Sequence, residues 1–168
     1  MIGKFLLEMV YVFGCMVGVF GICFILHLFF TMFSKKGDKK LFIAIDVSGS
    51  LRGDLFGKIK SMVKSLFGNK SCDLILFDQE IQKIYKDFND FDKLELIGRG
   101  GTDFGVIIDY IEEEANGKKV QLVIVTDGYG AWRKIDENIE LTIILTEDID
   151  TSCMKDLIAD AKNILILK

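Results

Sequence analysis

One carboxylate and two hydroxyls stand at alternate positions directly after an apolar run. The run covers residues 41–45, and the polar side chains are Asp46, Ser48 and Ser50. A short apolar strand of this kind is typical of a parallel sheet covered on both faces, and such sheets bind ligands at the carboxyl ends of their strands. Carboxylate and hydroxyl oxygens are hard ligands, which suit Mg²⁺ or Mn²⁺ better than zinc. The sequence therefore predicts a divalent-cation site at the end of this strand.

Two later segments carry polar side chains that an α/β fold would bring to the same edge of the sheet. The first is the glycine loop 98–103, which contains Thr102 and precedes a predicted helix. The second is the apolar strand 120–126, which is followed by Asp127. Because the carboxyl ends of parallel strands meet at one edge, we expect Thr102 and Asp127 to add a third hydroxyl and a second carboxylate to the site.

At these positions the chain resembles the von Willebrand factor A (VWA) domain family and its metal-ion-dependent adhesion site (MIDAS). The family motif reads Asp-x-Ser-x-Ser, then a loop with a threonine, then an aspartate after a later strand. The segments GRGGTDF and VTDGYG are most similar to a bacterial VWA-like branch that is often attached to a metallopeptidase-like region. The similarity extends from about residue 40 to residue 168. The motif positions are filled by Asp46, Ser48, Ser50, Thr102 and Asp127.

The resemblance implies a bound cation, Mg²⁺ or alternatively Mn²⁺, that the hydroxyls of Ser48 and Ser50 hold directly. It also implies that Asp46 and Asp127 act mainly through bound water, and that Thr102 binds the cation directly once a ligand is present. One coordination position stays open and takes the carboxylate of a Glu or Asp from a protein partner. Prokaryotic members often act in assembly beside ATPases of the AAA+ class, so an ATPase of this class is an expected partner.

The same residues favour binding over catalysis. A metal-dependent enzyme also needs a general base or a nucleophile near the open position, and the only histidine, His27, lies in the apolar amino-terminal segment. The sequence has no HExxH motif, so peptidase activity does not carry over from the resembling branch. An alternative is a metal-dependent phosphohydrolase with Asp46 as nucleophile, like phosphatases of the haloacid dehalogenase type. Those enzymes place a second aspartate two residues later, where this chain has Ser48.

An uncharged apolar segment precedes the predicted domain. Residues 9–33 carry no formal charge, and at about 1.5 Å per residue a helix of this length exceeds a hydrocarbon core of about 30 Å. We expect a single transmembrane helix, with a cleaved signal peptide as the alternative. Gly14 and Gly18 have the four-residue spacing that lets two membrane helices approach closely, which makes them a candidate dimer contact.

The charges that flank this segment predict its orientation. Lys35, Lys36, Lys39 and Lys40 follow it, whereas Lys4 precedes it. Because positive charge collects on the cytoplasmic side of membrane helices, we expect a single-pass cell-membrane protein whose carboxyl-terminal domain is cytoplasmic. The alternative is an extracytoplasmic adhesion or sensing module, which requires the reverse topology.

The sequence divides into an anchor (1–34), a basic linker (35–40) and a VWA-like domain (41–168). The domain is long enough for one hydrophobic core. It contains 16 Lys and Arg against 23 Asp and Glu, so its net charge is −7. Since phosphate binding depends on clustered positive charge, this balance argues against a nucleic-acid partner.

Alternating strand and helix patterns predict the fold class of this domain. We expect an α/β domain with a doubly wound, mostly parallel, Rossmann-like sheet. Strands 73–77 and 81–85 are predicted to form a hairpin that supplies one antiparallel edge strand. Helices are predicted over 51–67, from Phe104 to Asn116, and over 152–161, with further strands at 120–126, 141–145 and 164–167. The first helix is expected to bury Leu55, Ile59, Met62, Val63 and Leu66.

Two aromatic residues follow the last predicted cation ligand. Tyr129 and Trp132 come directly after Asp127 and Gly128. Exposed aromatic side chains are common at protein interfaces, but buried ones contribute to the core. The sequence therefore leaves two interpretations open, contact with a partner or packing within the domain.

Overall fold

The computed structural model describes residues 39–49, 53–68, 70–95, 97–146 and 154–167. The predicted membrane helix over 9–33, with Gly14 and Gly18, lies outside these residues, as does Ser50. Within the part that is described, no helix has both the length and the hydropathy needed to cross a bilayer.

The described residues contain six strands and three α-helices. A 3₁₀ turn at Phe91–Lys93 follows the third strand. The strands are β1 (Leu41–Asp46), β2 (Cys72–Phe77), β3 (Ile81–Phe88), β4 (Val120–Thr126), β5 (Ile139–Leu145) and β6 (Asn163–Ile166). The helices are α1 (Gly53–Phe67), α2 (Phe104–Ala115) and α3 (Lys155–Asp160).

These strands form one sheet in the order β3-β2-β1-β4-β5-β6. Every neighbouring pair is parallel except β2 and β3, which form an antiparallel hairpin at the edge. Strands β1, β2 and β4 are buried along their whole length, as expected for central parallel strands covered on both faces. The predicted mostly parallel α/β sheet with one antiparallel edge strand is therefore confirmed.

Helix α1 buries a different stripe from the predicted one. Its fully buried side chains recur at intervals of three and four residues, so they form one face. Three of the predicted core residues flank this face and are only half-buried. The two phenylalanines are the largest apolar side chains on the helix, and both lie on its buried face. The buried residues are Phe56, Ile59, Val63 and Phe67, and the half-buried ones are Leu55, Met62 and Leu66.

Helix α2 begins and ends at the predicted residues. The side chain of Asp103 caps the helix by accepting a hydrogen bond of 2.8 Å from the Gly105 N–H. Asn116 ends the helix in the left-handed conformation, with φ of 46°. The core face of the helix consists of Phe104, Ile107, Ile108 and Ile111, which are fully buried. The residue before this helix cap is Thr102, so the cap fixes where the glycine loop stops.

A buried carboxylate on β2 joins elements from three parts of the chain. Asp73 forms ion pairs with Lys40 at 2.9 Å and with Lys86 at 3.1 Å, and both lysines also contact Glu114 on α2. The Asp87 N–H donates to Asp73 at 3.1 Å. Burial alone would raise the pKa of Asp73, but these hydrogen bonds and the two lysine charges outweigh it and lower the pKa. The cluster connects the start of β1 with β2, β3 and α2.

Replacing Asp73 with asparagine should destabilise the protein in a pH-dependent way. Because the pKa of Asp73 is lowered by folding, its stabilising effect is present above the unfolded-state pKa of about 3.9 and is lost as the pH falls through the lower folded-state value. We expect Asp73→Asn to lower the free energy of unfolding by about 1–2 kcal/mol at pH 7, and by much less near pH 3. Urea unfolding followed by circular dichroism between pH 3 and pH 7 measures both.

The control for this prediction is Asp92→Asn, which removes an exposed ion pair with Lys64. Exposed pairs contribute little, so its effect should stay below about 1 kcal/mol at every pH. An equal loss for Asp73→Asn at pH 3 and at pH 7 would contradict an ionic role for Asp73.

Candidate metal centre

Asp46 lies at the carboxyl end of β1, between the ends of β2 and β4. It pairs with Phe77 in the register with β2, while the preceding residue, Ile45, pairs with Val125 of β4. The side chain of Asp46 is buried, although the residue ends a strand. Because β1 runs through the centre of the sheet, the fold holds this carboxylate between two neighbouring strand ends.

Thr126 makes a short hydrogen bond to Asp46. It is not among the site residues predicted from the sequence. Its hydroxyl donates to Asp46 Oδ2 at 2.7 Å and accepts from the Gly128 N–H at 2.9 Å. The hydroxyl is therefore fixed in one orientation, with its O–H directed at the Asp46 carboxylate. In the sequence, a threonine that ends an apolar strand looks like an ordinary strand residue. The one signal for its role was its position directly before Asp127.

Ser48 and Thr102 bring hydroxyl groups to the same carboxylate. The Ser48 N–H donates to Asp46 Oδ1 at 3.0 Å, and the Ser48 hydroxyl also hydrogen-bonds Asp46. Thr102 Oγ1 lies 3.4 Å from each oxygen of Asp46, which is the long end of hydrogen-bond distances. Thr102 reaches Asp46 across 56 residues of sequence, as the position of the glycine loop predicted.

Asp127 lies beside this group and is half-buried. One of its oxygens accepts a hydrogen bond of 3.1 Å from the Tyr129 N–H, which holds the side chain close to its own loop. The charge of Asp127 acts on Asp46 electrostatically. The structure thus brings Asp46, Ser48 and Thr102 into contact and places Asp127 near them; Ser50 is outside the described residues.

The electrostatics of the site are dominated by the burial of Asp46. Burial raises the pKa of its carboxyl group, and the negative charge of Asp127 raises it further. Hydrogen bonds from Thr126 and Ser48 act in the opposite direction, but the net effect is a raised pKa. The carboxyl groups of Asp46 and Asp127 are therefore close together, and the ionised form of Asp46 is disfavoured.

The donor groups fit a hard divalent cation. Among the described residues, Asp46 forms no ion pair with a lysine or an arginine. In the same part of the chain, no three His, Cys, Asp or Glu side chains lie close enough to bind a metal together. A cation at this edge would therefore depend on the hydroxyls of Ser48 and Thr102 beside the carboxylates, which is a set of oxygen donors suited to Mg²⁺ or Mn²⁺.

The two aromatic residues after Asp127 have different environments. Trp132 packs against Phe104 with ring centroids 5.4 Å apart, and its Nε1–H donates to Asp160 at 2.9 Å. Tyr129 is 58% exposed. Packing is therefore the role of Trp132, whereas Tyr129 presents an aromatic ring to solvent next to Asp127.

The known proteins that this chain resembles were found through similarity of structure and not of sequence. No family model matches the sequence. No curated protein matches it either.

Solved structures that share the fold include the following two. One is an aerotolerance-related membrane protein from Bacteroides fragilis NCTC 9343, with multiple mutations to serines; it is 12% identical, with 78% of this chain and 92% of that chain covered and a TM-score of 0.56. The other is the ArnB paralog VWA2 from Sulfolobus acidocaldarius, 18% identical, with a TM-score of 0.54. That match covers 76% of this chain and 40% of the other, so the chain spans well under half of the second protein. The described part of Lys39–Lys168 therefore has a von Willebrand factor A-like fold.

Proposed function

We propose that this protein is a membrane-anchored interaction module that binds a divalent cation and, through it, an acidic residue of a protein partner. The observation that supports this most directly is the environment of Asp46. It is a buried carboxylate surrounded by the hydroxyls of Thr126, Ser48 and Thr102, with a second carboxylate nearby and no basic partner among the described residues. A cation offsets the cost of burying charge in such a place.

The proposed ligands are Asp46, Ser48, Ser50, Thr102 and Asp127. The serine and threonine hydroxyls would hold the cation, and the two aspartates would orient these hydroxyls and the bound water. When bound, the cation supplies a concentrated positive charge with room for one further oxygen ligand. The carboxylate of a partner's Glu or Asp provides that ligand, and Mg²⁺ is the cation we favour over Mn²⁺ because of its abundance in cells.

The chain's own residues suit binding better than catalysis. In the part of the chain that the structure describes there is no histidine, and the hydroxyl nearest to Asp46 is already donating to it. Among the described residues at this edge, the carboxylates Asp46 and Asp127 are both assigned to the cation in this proposal, so neither is left to act as a general base. The buried position of Asp46 also argues against its use as a nucleophile, because a phosphate group would have to reach a carboxylate that is 4% exposed.

The place of action that we propose is the cytoplasmic face of the cell membrane. The apolar segment 9–33 would anchor the chain, Gly14 and Gly18 would provide a dimer contact, and the following lysines would remain inside. The similarity in fold to an aerotolerance-related membrane protein is consistent with a membrane location. An ATPase of the AAA+ class is the partner we favour, and an extracytoplasmic adhesion or sensing role is the alternative.

Cation binding is the first prediction of this proposal. The full chain, purified in a neutral detergent, should bind Mn²⁺ and Mg²⁺ saturably in calorimetric titrations. Ser48→Ala and Thr102→Ala should each weaken binding by at least about tenfold, because each removes an oxygen next to Asp46. Unchanged circular dichroism spectra would show that the fold is retained.

The matched control is Ser61→Ala, which removes an exposed serine hydroxyl on α1 that donates to the Gly57 carbonyl. This variant should bind Mn²⁺ like the unaltered protein. Absence of saturable binding by the folded, unaltered chain would refute the cation site, and equal weakening by Ser61→Ala would show that the effect is not local.

Orientation in the membrane can be measured by chemical labelling. Lys118 lies in an exposed turn before the start of β4, whereas the proposed site is at the carboxyl end of that strand. Lys118→Cys should resist a membrane-impermeant thiol reagent in intact cells and react after the cells are permeabilised. The chain without this cysteine is the control, and rapid labelling of intact cells would favour the extracytoplasmic alternative.

A catalytic role for Asp46 would predict phosphatase activity, which we do not expect. The full chain with Mg²⁺ should not hydrolyse a generic aryl phosphate above the rate of Asp46→Asn. Turnover that depends on Asp46 and on Mg²⁺ would replace the binding function with a phosphohydrolase.

A further inference from the structure

The turn between β2 and β3 contacts the glycine loop that carries Thr102. Asp78 follows β2 directly and is 3% exposed, although it lies in a turn at the edge of the sheet. Its Oδ2 accepts a hydrogen bond of 2.9 Å from the Gly100 N–H. Its backbone carbonyl accepts a second one, of 3.1 Å, from the Asp103 N–H. Asp78 therefore holds the loop at two positions, one on each side of Thr102.

The backbone of Gly100 continues this contact to the loop after β1. While its N–H donates to Asp78, its carbonyl accepts a hydrogen bond of 3.0 Å from the Gly49 N–H. Gly49 is the residue after Ser48. The backbone of one residue, Gly100, thus connects the carboxylate of Asp78 with the loop that carries Ser48.

The other oxygen of Asp78 is anchored in its own hairpin. Oδ1 accepts from the Glu80 N–H at 3.2 Å and from Gln82 Nε2 at 2.9 Å. Both oxygens of the carboxylate are therefore acceptors of N–H groups. An asparagine at this position has only one acceptor oxygen, so it must lose either the bond to Gly100 or the bonds within the hairpin.

The backbone of the loop is strained, and the loop fits closely against Asp78. Gly98 and Arg99 have φ of +122° and +111°, which is rare for a residue with a side chain such as Arg99. A Cβ atom at Gly98 would lie 2.6 Å from Val47 Cγ2, and one at Gly100 would lie 3.0 Å from Asp78 Oδ2. Strained conformations persist only when surrounding contacts hold them. Asp78 supplies such a contact.

We propose that Asp78 is a positioning residue for the cation site, because its carboxylate fixes the glycine loop with Thr102 and, through the backbone of Gly100, the loop with Ser48. Asp78 is not one of the proposed cation ligands. The inference rests on the proposed function, since it assigns Asp78 a role in cation affinity.

The experiment is a titration of the full chain with Mn²⁺, followed by electron paramagnetic resonance, for the unaltered protein and for Asp78→Asn. We expect Asp78→Asn to weaken Mn²⁺ binding about tenfold, as is usual when a residue that orients metal ligands is lost. The control Gln82→Ala removes one hairpin contact and leaves the bond between Asp78 and Gly100. Its affinity should change by less than about twofold.

A double-mutant cycle separates positioning from a general loss of stability. If Asp78 acts through the Thr102 loop, Asp78→Asn should weaken Mn²⁺ binding less in a Thr102→Ala background than in the unaltered protein. If Asp78→Asn fails to fold, Gly100→Ala tests the same contact from the loop side, because its Cβ would press on Asp78 Oδ2. Gly100→Ala should also weaken Mn²⁺ binding.

The outcomes distinguish this inference from the proposed function. If the folded, unaltered chain binds no Mn²⁺, both are wrong. If it binds Mn²⁺ and a folded Asp78→Asn or Gly100→Ala variant binds equally well, the proposed function stands and the positioning role is wrong. A lower melting temperature with unchanged affinity would likewise reduce Asp78 to a structural residue.

Discussion

Strand β1 pairs in parallel with both β2 and β4 and so lies at the centre of the sheet. All six residues of β1 are buried, and Phe42, Ile43 and Ile45 are fully so. Burying a large apolar side chain contributes about 1.5–3 kcal/mol, so these residues fix the strand firmly in the centre of the sheet. Because all three strands run in the same direction, their carboxyl ends lie together, and so do the polar residues that follow them.

This arrangement places charge where water has little access. The carboxylate of Asp46 is buried because its strand is central, and a second carboxylate, Asp127, lies close by. Hydrogen bonds from Thr126 and Ser48 offset part of the cost. At the carboxyl ends of the central strands, the buried group is thus a carboxylate, whereas most of the core is apolar.

Much of the fold could be predicted from the sequence because the central strands are uninterrupted apolar runs and the helices have clear ends. The positions of Asp46, Ser48, Thr102 and Asp127 followed from strand ends and a glycine loop. Thr126 was missed because its role depends on which strand lies beside β4, and a sequence alone does not give strand order.

Two other features depend on three-dimensional packing in the same way. The apolar stripe of α1 is wider than the face that is buried, so the pattern could not decide between Leu55 and Phe56. In the sequence, Asp78 looks like an ordinary polar residue of a turn. Only the register of the hairpin against the glycine loop shows that its carboxylate is buried against Gly100.

The packing of Trp132 gives the protein an optical reporter. Trp132 is the only tryptophan in the chain, and its ring lies edge-on against Phe104. Phe104 is the first residue of α2, two positions after Thr102. A displacement of the loop that carries Thr102 would shift the start of this helix, and with it the surroundings of the indole. Intrinsic fluorescence can therefore follow events at the edge of the sheet without any added dye.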